Sequence, residues 1–240
     1  MTQQNAVSPS PLGYNRPTQH RTRIKMCGFT READVLAAVT AGADAIGFVL
    51  YPPSPRNVTV DRAAELARLL PQFVAPVLLF VNETPERIQA ACAEVPGALL
   101  QFHGDETPEF CAAMSLTTGR PHLKAARIPL TEAANFDLVR YALIHHQAQA
   151  LLLDAHVDGY GGGGKTFNWS LLPPNVNAHL VLSGGLTPAN VADGIRALRS
   201  HGLSLAVDVS SGIEADKGLK DALKIQQFVA AVRAADADLS

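Results

Sequence analysis

Cysteine is scarce in this chain. Cys27, Cys92 and Cys111 are an odd number in 240 residues and lie far apart, so neither a disulfide framework nor a paired metal site follows. Such usage fits a reducing cytoplasm, where the protein is expected to reside. Long hydrophobic runs are missing as well. The longest span roughly six to eight residues, where a membrane-crossing helix needs ~20, so no membrane partner is expected. Nor does charge of one sign dominate: 20 Lys and Arg face 22 Asp and Glu, the net charge is −2 and the pI about 6.4. With no basic run, a nucleic-acid surface is not indicated. Residues Met1–His20 lack the apolar core of a signal peptide. Rich in Gln, Asn, Ser, Pro and Thr, they are expected to form a disordered leader ahead of a domain over residues 21–240.

What is present is an alternation. Short apolar segments recur at Arg23–Cys27, Ala45–Leu50, Pro76–Val81, Ala98–His103, His122–Arg127, Ala150–Asp154, His179–Ser183 and Leu205–Val209. Between them lie amphipathic stretches: Arg31–Ala41, Asp61–Leu70, Pro85–Val95, Pro108–Ser115, Glu132–His145, Pro188–Ser200 and Gly218–Ala235. Thr84-Pro85, Thr107-Pro108 and Thr187-Pro188 each read as an N-cap followed by proline in the first helical turn. Val77–Val81 and Leu151–Leu153 are apolar at every position, as parallel strands covered on both faces should be. Eight such units predict an α/β chain folded as a single (β/α)8 TIM barrel. A doubly wound open sheet is the alternative, disfavoured because no glycine-rich first turn marks a switch point. Polar and glycine residues gather at the C-terminal ends of the strands, the face where barrel enzymes place their chemistry.

The densest signal is Leu151–Ser170, where three leucines deliver Asp154 to a strand end and a glycine-rich loop with one lysine follows. Gly159–Thr166 satisfies the pattern of a phosphate-binding loop of nucleotide hydrolases. That motif needs its glycines directly between a strand and a long helix. Here Ala155–Asp158 separate the strand from the first glycine, and Pro173-Pro174 stop any helix after fewer than two turns. Gly161, Gly162, Gly163, Gly164 and Lys165 fit a hinged loop over an active site better.

Asp154, at the end of an apolar strand, is costly unless hydrogen-bonded or functional, and suits a general acid. The bland alternative is an aspartate capping the next turn. Cys27 closes the first strand; its position suits a general base, with Lys25 or a helix N-terminus to favour the thiolate. A small buried hydrophobe is the alternative there, and it is the reading for Cys92 and Cys111 on helices. Arg56 stands in the proline-stiffened loop Tyr51–Arg56 and suits a carboxylate or phosphate, unless it is merely solvated. His103 ends the fourth strand, as a ligand of substrate or as a satisfied core histidine. Leu182–Leu186 and Asp208–Ile213 are small-residue loops after adjacent strands. Gly184, Gly185, Ser210, Ser211 and Gly212 there suit a phosphate, and Asp208 joins them in an orienting role.

These residues fall into a known order. Ile24–Gly28, Gly42–Phe48, Ser54–Arg56, Val81-Asn82, Gln101–Gly104, Leu153-Asp154, Gly161–Phe167, Leu182–Leu186 and Ala206–Glu214 together resemble the phosphoribosylanthranilate isomerase family of tryptophan biosynthesis. The likeness covers Arg23 to about Val232, and the chain departs from the family at Asn168, where aspartate is common. The resemblance implies an Amadori rearrangement of a phosphosugar, N-(5′-phosphoribosyl)anthranilate. It makes Asp154 the general acid that opens the furanose ring, Cys27 the base at C2′ and Arg56 the clamp on the anthranilate carboxylate. It implies no metal and no cofactor, and a monomer or homodimer. A dual-substrate phosphoribosyl isomerase would carry an aspartate in place of Cys27. A nucleotide-binding module would depend on Lys165, and a non-catalytic phosphosugar-binding barrel would tolerate loss of Cys27 or Asp154.

Overall fold

The computed structural model describes residues 21–129, 136–155, 168–169 and 172–238. Strands β1 (Arg23–Cys27), β2 (Ala45–Val49), β3 (Ala75–Phe80), β4 (Leu99–Phe102), β5 (His122–Ile128), β6 (Ala150–Ala155), β7 (His179–Leu182) and β8 (Ser204–Val209) pair in sequence order. All pairings are parallel, and β8 returns to β1 from Arg23↔Ala206 to Met26↔Val209. That last ladder closes the barrel and excludes the open sheet. Outside it lie α1 (Glu32–Ala41), α2 (Val60–Ala67), α3 (Pro85–Glu94), α4 (Pro108–Thr118), α5 (Leu138–Ile144), α6 (Val191–Leu198) and α7 (Ala222–Asp238). No helix among the described residues is long and apolar enough to cross a membrane.

Each strand buries both faces, which is why the strands read as continuous apolar runs. Outward residues such as Ile46, Phe48, Leu78, Phe80, Leu100 and Phe102 join the helices in one large core. Each large side chain so buried stabilises by roughly 1.5–3 kcal/mol. Inward residues Val77, Leu123, Ala125, Ala150, Leu152 and Val181 form a second, smaller core inside the barrel. Strand alternation sends every second residue inward. Followed toward the C-terminal ends, the same inward rows change character and end in Lys25 and Cys27, Gln101 and His103, Arg127, Asp154, and Asp208.

Two of the expected helix starts hold. Thr84 and Thr107 accept from the N–H groups of Arg87 and Phe110, at 3.4 and 3.2 Å, each just before a helical proline. The third differs: α6 begins at Val191, and Asn190 Oδ1 accepts from Thr187 N at 2.8 Å, so Thr187-Pro188 opens a turn rather than the helix. The last helix starts later than its pattern suggests. Residues 214–220 form a small antiparallel hairpin, β9 (Glu214–Asp216) and β10 (Leu219–Lys220), turned at Gly218 with φ +77°. That left-handed conformation ends any helix there. Asp221 then accepts from Leu223 N and Lys224 N, supplying the first turn of α7 with its missing partners.

Candidate active site

β1 ends on Cys27 and the chain turns away at once. Gly28 has φ +81° and donates its N–H to Gly47 O at 2.9 Å. A Cβ there would start 2.5 Å from Arg56 Cδ, so the absent side chain lets the Arg56 stem lie against the end of β1. Gly47, the register partner of Cys27 on β2, plays a matching part, since its Cβ would stand 2.6 Å from Cys27 Sγ. The thiol occupies the space of a missing methyl and is 4% exposed. Lys25, on the same inward row, donates to Asp208 Oδ1 at 2.8 Å, and its ammonium interacts electrostatically with the Cys27 sulfur. Ser183 Oγ donates to the other Asp208 oxygen at 3.3 Å. Burial pushes the Cys27 thiol up, against the pull of the Lys25 and Lys220 ammonium groups. For Lys25, burial acts downward, but Asp208 and Cys27 outweigh it and the amine is raised.

Arg56 is held as a fork. Its Nε and Nη2 donate to Glu214 Oε1 and Oε2 at 2.7 and 2.8 Å, with both side chains buried. Lys220 Nζ reaches the same Glu214 Oε1 at 2.9 Å and Ser210 O at 3.1 Å, and lies 5.3 Å from the centre of the Phe29 ring. Burial would raise Glu214, but two cations share it and hold it below the usual carboxylate range. Its hydrogen bond raises Arg56 in turn, whereas burial prevails at Lys220 and lowers it.

Asp154 is delivered by β6 and is also buried. Its Oδ2 lies 2.9 Å from His103 Nε2, and His103 Nδ1 lies 2.9 Å from Gln101 Nε2. Gly184, at φ +78°, would put a Cβ 2.8 Å from Asp154 Oδ1, so this carboxyl too rests against a glycine. Gly185 follows at φ +64°. A Cβ at Gly212 would collide with Leu186 O, so the loops after β7 and β8 touch backbone to backbone. Ser211–Ile213 forms a 3-10 turn, and Ser210 Oγ donates to Cys27 O at 3.0 Å. Neighbouring loops of small residues with left-handed glycines let backbone N–H groups face an anion.

The fold therefore brings Cys27, Arg56, His103, Asp154, Gly184, Gly185, Asp208, Ser210, Ser211 and Gly212 to strand ends on one rim. Gly161, Gly162, Gly163, Gly164 and Lys165 lie outside the described residues. Cys92 and Cys111 are buried on α3 and α4, and burial pushes Cys111 up to about 12. Among the described residues, no group of three His, Cys, Asp or Glu side chains is placed to hold a metal ion. Four participants were not singled out as candidates from the sequence. Gln101 was within reach, because it shares the inward row of His103 two residues away. Gly47 needed the β1–β2 register. Glu214 and Lys220 are 158 and 164 residues from Arg56 along the chain, and no local pattern joins them.

A family model described as N-(5′-phosphoribosyl)anthranilate isomerase matches residues 24–231. The protein of that name from Leptothrix cholodnii is 58% identical over 217 residues, covering 90% of this chain and 93% of its own length. The crystal structure of phosphoribosyl anthranilate isomerase from Thermotoga maritima superposes with a TM-score of 0.77 at 38% identity, covering 89% of this chain and 99% of that one. A crystal structure of phosphoribosyl anthranilate isomerase in complex with reduced 1-(o-carboxyphenylamino)-1-deoxyribulose 5-phosphate gives 0.73 at 35% identity over the same shares of the two chains. A family model spanning most of the barrel and a relative with more than half its residues identical leave one assignment: this chain belongs to the N-(5′-phosphoribosyl)anthranilate isomerase family.

Proposed function

We propose that this chain converts N-(5′-phosphoribosyl)anthranilate into 1-(2-carboxyphenylamino)-1-deoxyribulose 5-phosphate, with residues 21–240 as one catalytic domain. The observation that carries the reading is a matched pair on one rim. A buried thiol and a buried carboxyl both face inward, and each is seated against a glycine, Gly47 or Gly184, that leaves it room. Asp154 protonates the ring oxygen as the C1′–O4′ bond breaks, and the nitrogen lone pair forms the iminium. Cys27 removes the C2′ proton, and the electrons of that C–H bond form the enolamine. The Cys27 thiol then protonates C1′, while the C2′ hydroxyl returns a proton to Asp154 and becomes the ketone. The acid and the base end as they began.

Arg56 receives the anthranilate carboxylate. Its Nε and Nη2 are committed to Glu214, which stiffens the guanidinium and leaves Nη1 for the substrate. The 5′-phosphate sits between Gly184-Gly185 and Ser210–Gly212, whose contact at Gly212 and Leu186 holds the two loops as a unit. Asp208 and Lys25 brace the base from below.

The test is the loss of phosphoribosylanthranilate fluorescence, with substrate generated in situ and no added metal or nucleotide. Turnover above the uncatalysed background is expected, and Asp154→Asn should lower kcat by at least ~10²-fold. Folded protein without turnover would leave a phosphate-binding barrel of another function.

A further inference from the structure

Asp154 does not act from isolation. Asp154, His103 and Gln101 form an unbroken chain of two 2.9 Å contacts, with exposures of 6, 6 and 0%. β4 and the residue after it supply two of its members, because Gln101 lies on the strand and His103 continues its inward row. The chain has a loose end: Gln101 Oε1 is buried and has no hydrogen-bond partner among the described residues.

The two orientations of the Gln101 amide correspond to two proton inventories. With the NH2 group toward His103, Nδ1 must accept, so the ring carries its hydrogen on Nε2 and donates it to an Asp154 carboxylate. Turning the amide about its last bond exchanges Oε1 and Nε2 and moves no other atom. Oε1 then accepts from Nδ1–H, and the His103–Asp154 pair holds one more proton. That proton sits on Asp154 as a carboxylic acid or on the ring as an imidazolium. In either orientation half of the amide stays unpaired, so neither is locked.

We propose that His103 is the proton partner of Asp154 and that the Gln101 amide, turned with Oε1 toward Nδ1–H, holds the pair loaded. This rests on the reading of Asp154 as the general acid. The loaded pair gives its proton to the ring oxygen as the C1′–O4′ electrons move onto that oxygen. The ring keeps Nδ1–H against Gln101 Oε1, and the spent carboxylate stays beside Nε2, ready for the returning proton. The C2′ hydroxyl proton reloads the pair as the ketone forms, so protons balance over the cycle. His103 is thus a positioning residue that touches the acid, and is not required to touch the sugar.

The neighbouring charges are already matched. Arg127, the β5 register partner of Asp154, is paired with Asp105, and Lys124 with Glu106 at 2.7 Å. On the β7 and β8 side Asp208 is bound by Lys25 and Ser183. His103 is the side chain bonded to Asp154 itself.

The experiment is the pH profile of kcat/KM for the wild type, His103→Gln and Gln101→Glu. His103→Gln removes the partner and should move the alkaline limb down by about one unit or more, whereas Gln101→Glu, an acceptor at Nδ1 when ionised, should move it up. A side chain that only filled space would lower the rate at every pH and leave the limbs in place, and that result overturns the proposal. Gln101→Glu buries a carboxylate and could prevent folding. The second readout therefore needs no variant of that residue: imidazole 15N shifts of His103 against pH, in wild type and Asp154→Asn. The ring should titrate differently once the carboxyl is gone; superimposed curves also overturn the proposal. A wild type without isomerase turnover would defeat the general-acid reading alone, and the 15N titration would still decide the shared proton.

Discussion

Gly47→Ala adds one methyl group at the place where the thiol is seated. The position has no positive φ, so the whole effect comes from contact. The new Cβ would stand 2.6 Å from Cys27 Sγ and 3.2 Å from both Cα and Cβ of Cys27, where about 3.5–4.0 Å is comfortable. The thiol or the β1–β2 pairing must therefore give by about 1 Å. Crowding of this kind costs about 1–3 kcal/mol, and the stiffer unfolded chain of an alanine variant returns about 0.4–1 kcal/mol. A net loss near ~1 kcal/mol lowers Tm by roughly 2–4 °C in a chain of this size. Chemistry is more sensitive. A reacting group displaced by about 1 Å costs on the order of 10²-fold in rate, equivalent to about 2.7 kcal/mol. Activity should therefore fall far more than stability, read as kcat/KM from fluorescence loss beside Tm from circular dichroism. Gly42→Ala is the control. Its Cβ meets nothing within 4 Å, but φ is +103°, so it should lose stability and keep turnover. A folded Gly47→Ala enzyme with more than about half of wild-type kcat/KM would refute the seating argument.

Three other perturbations separate the remaining parts of the site and its support. Arg56→Ala should raise KM at least about tenfold with a smaller change in kcat, and an unchanged KM would remove the clamp role. Glu214→Gln leaves Arg56 and Lys220 buried without their shared countercharge. A loss of about 3 kcal/mol is expected, visible as a lower urea midpoint, and a midpoint matching wild type would show that the triad adds nothing. His145 is pushed down from 6.5 to about 4 by burial, with Lys124 adding to it. Because its folded value is the lower one, the unfolded chain takes up a proton that the folded protein refuses. Stability should then be full above pH 6.5 and drain as pH falls toward about 4. His145→Gln should flatten that stretch of the urea-midpoint profile, and an unchanged slope would assign it elsewhere.

The barrel was legible because its rules are local. Continuous apolar runs mark strands buried on both faces, and Thr84-Pro85 and Thr107-Pro108 mark helix starts by a mechanism that acts within four residues. Thr187-Pro188 carries the same letters and starts no helix, because the Asn190 side chain takes the Thr187 N–H into a turn. Local letters could not show that competition. The hairpin Glu214–Lys220 escaped for a related reason: its pairing is two residues deep and depends on the left-handed Gly218. It nevertheless supplies Glu214, which holds Arg56, and Lys220, which holds Glu214 and reaches Ser210 O.

The site divides along the same line. Cys27 and Asp154 could be found because a polar residue at the end of an apolar strand is costly without a purpose. Their contacts with Gly47 and His103 could not, since each depends on strand register. Cys27 meets Gly47 only if β1 and β2 pair as they do, and Asp154 meets His103 only if β4 and β6 point their last inward residues across the same mouth. His103 shows how the division resolves. The choice between a ligand of the substrate and a satisfied core histidine assumed one role, whereas the side chain is buried, hydrogen-bonded on both ring nitrogens, and in contact with Asp154. An inward row that is apolar at its base and polar at its last two positions needs both features at once. The base makes the barrel interior dry, and dryness is what makes one hydrogen bond at the rim strong enough to govern where a proton resides.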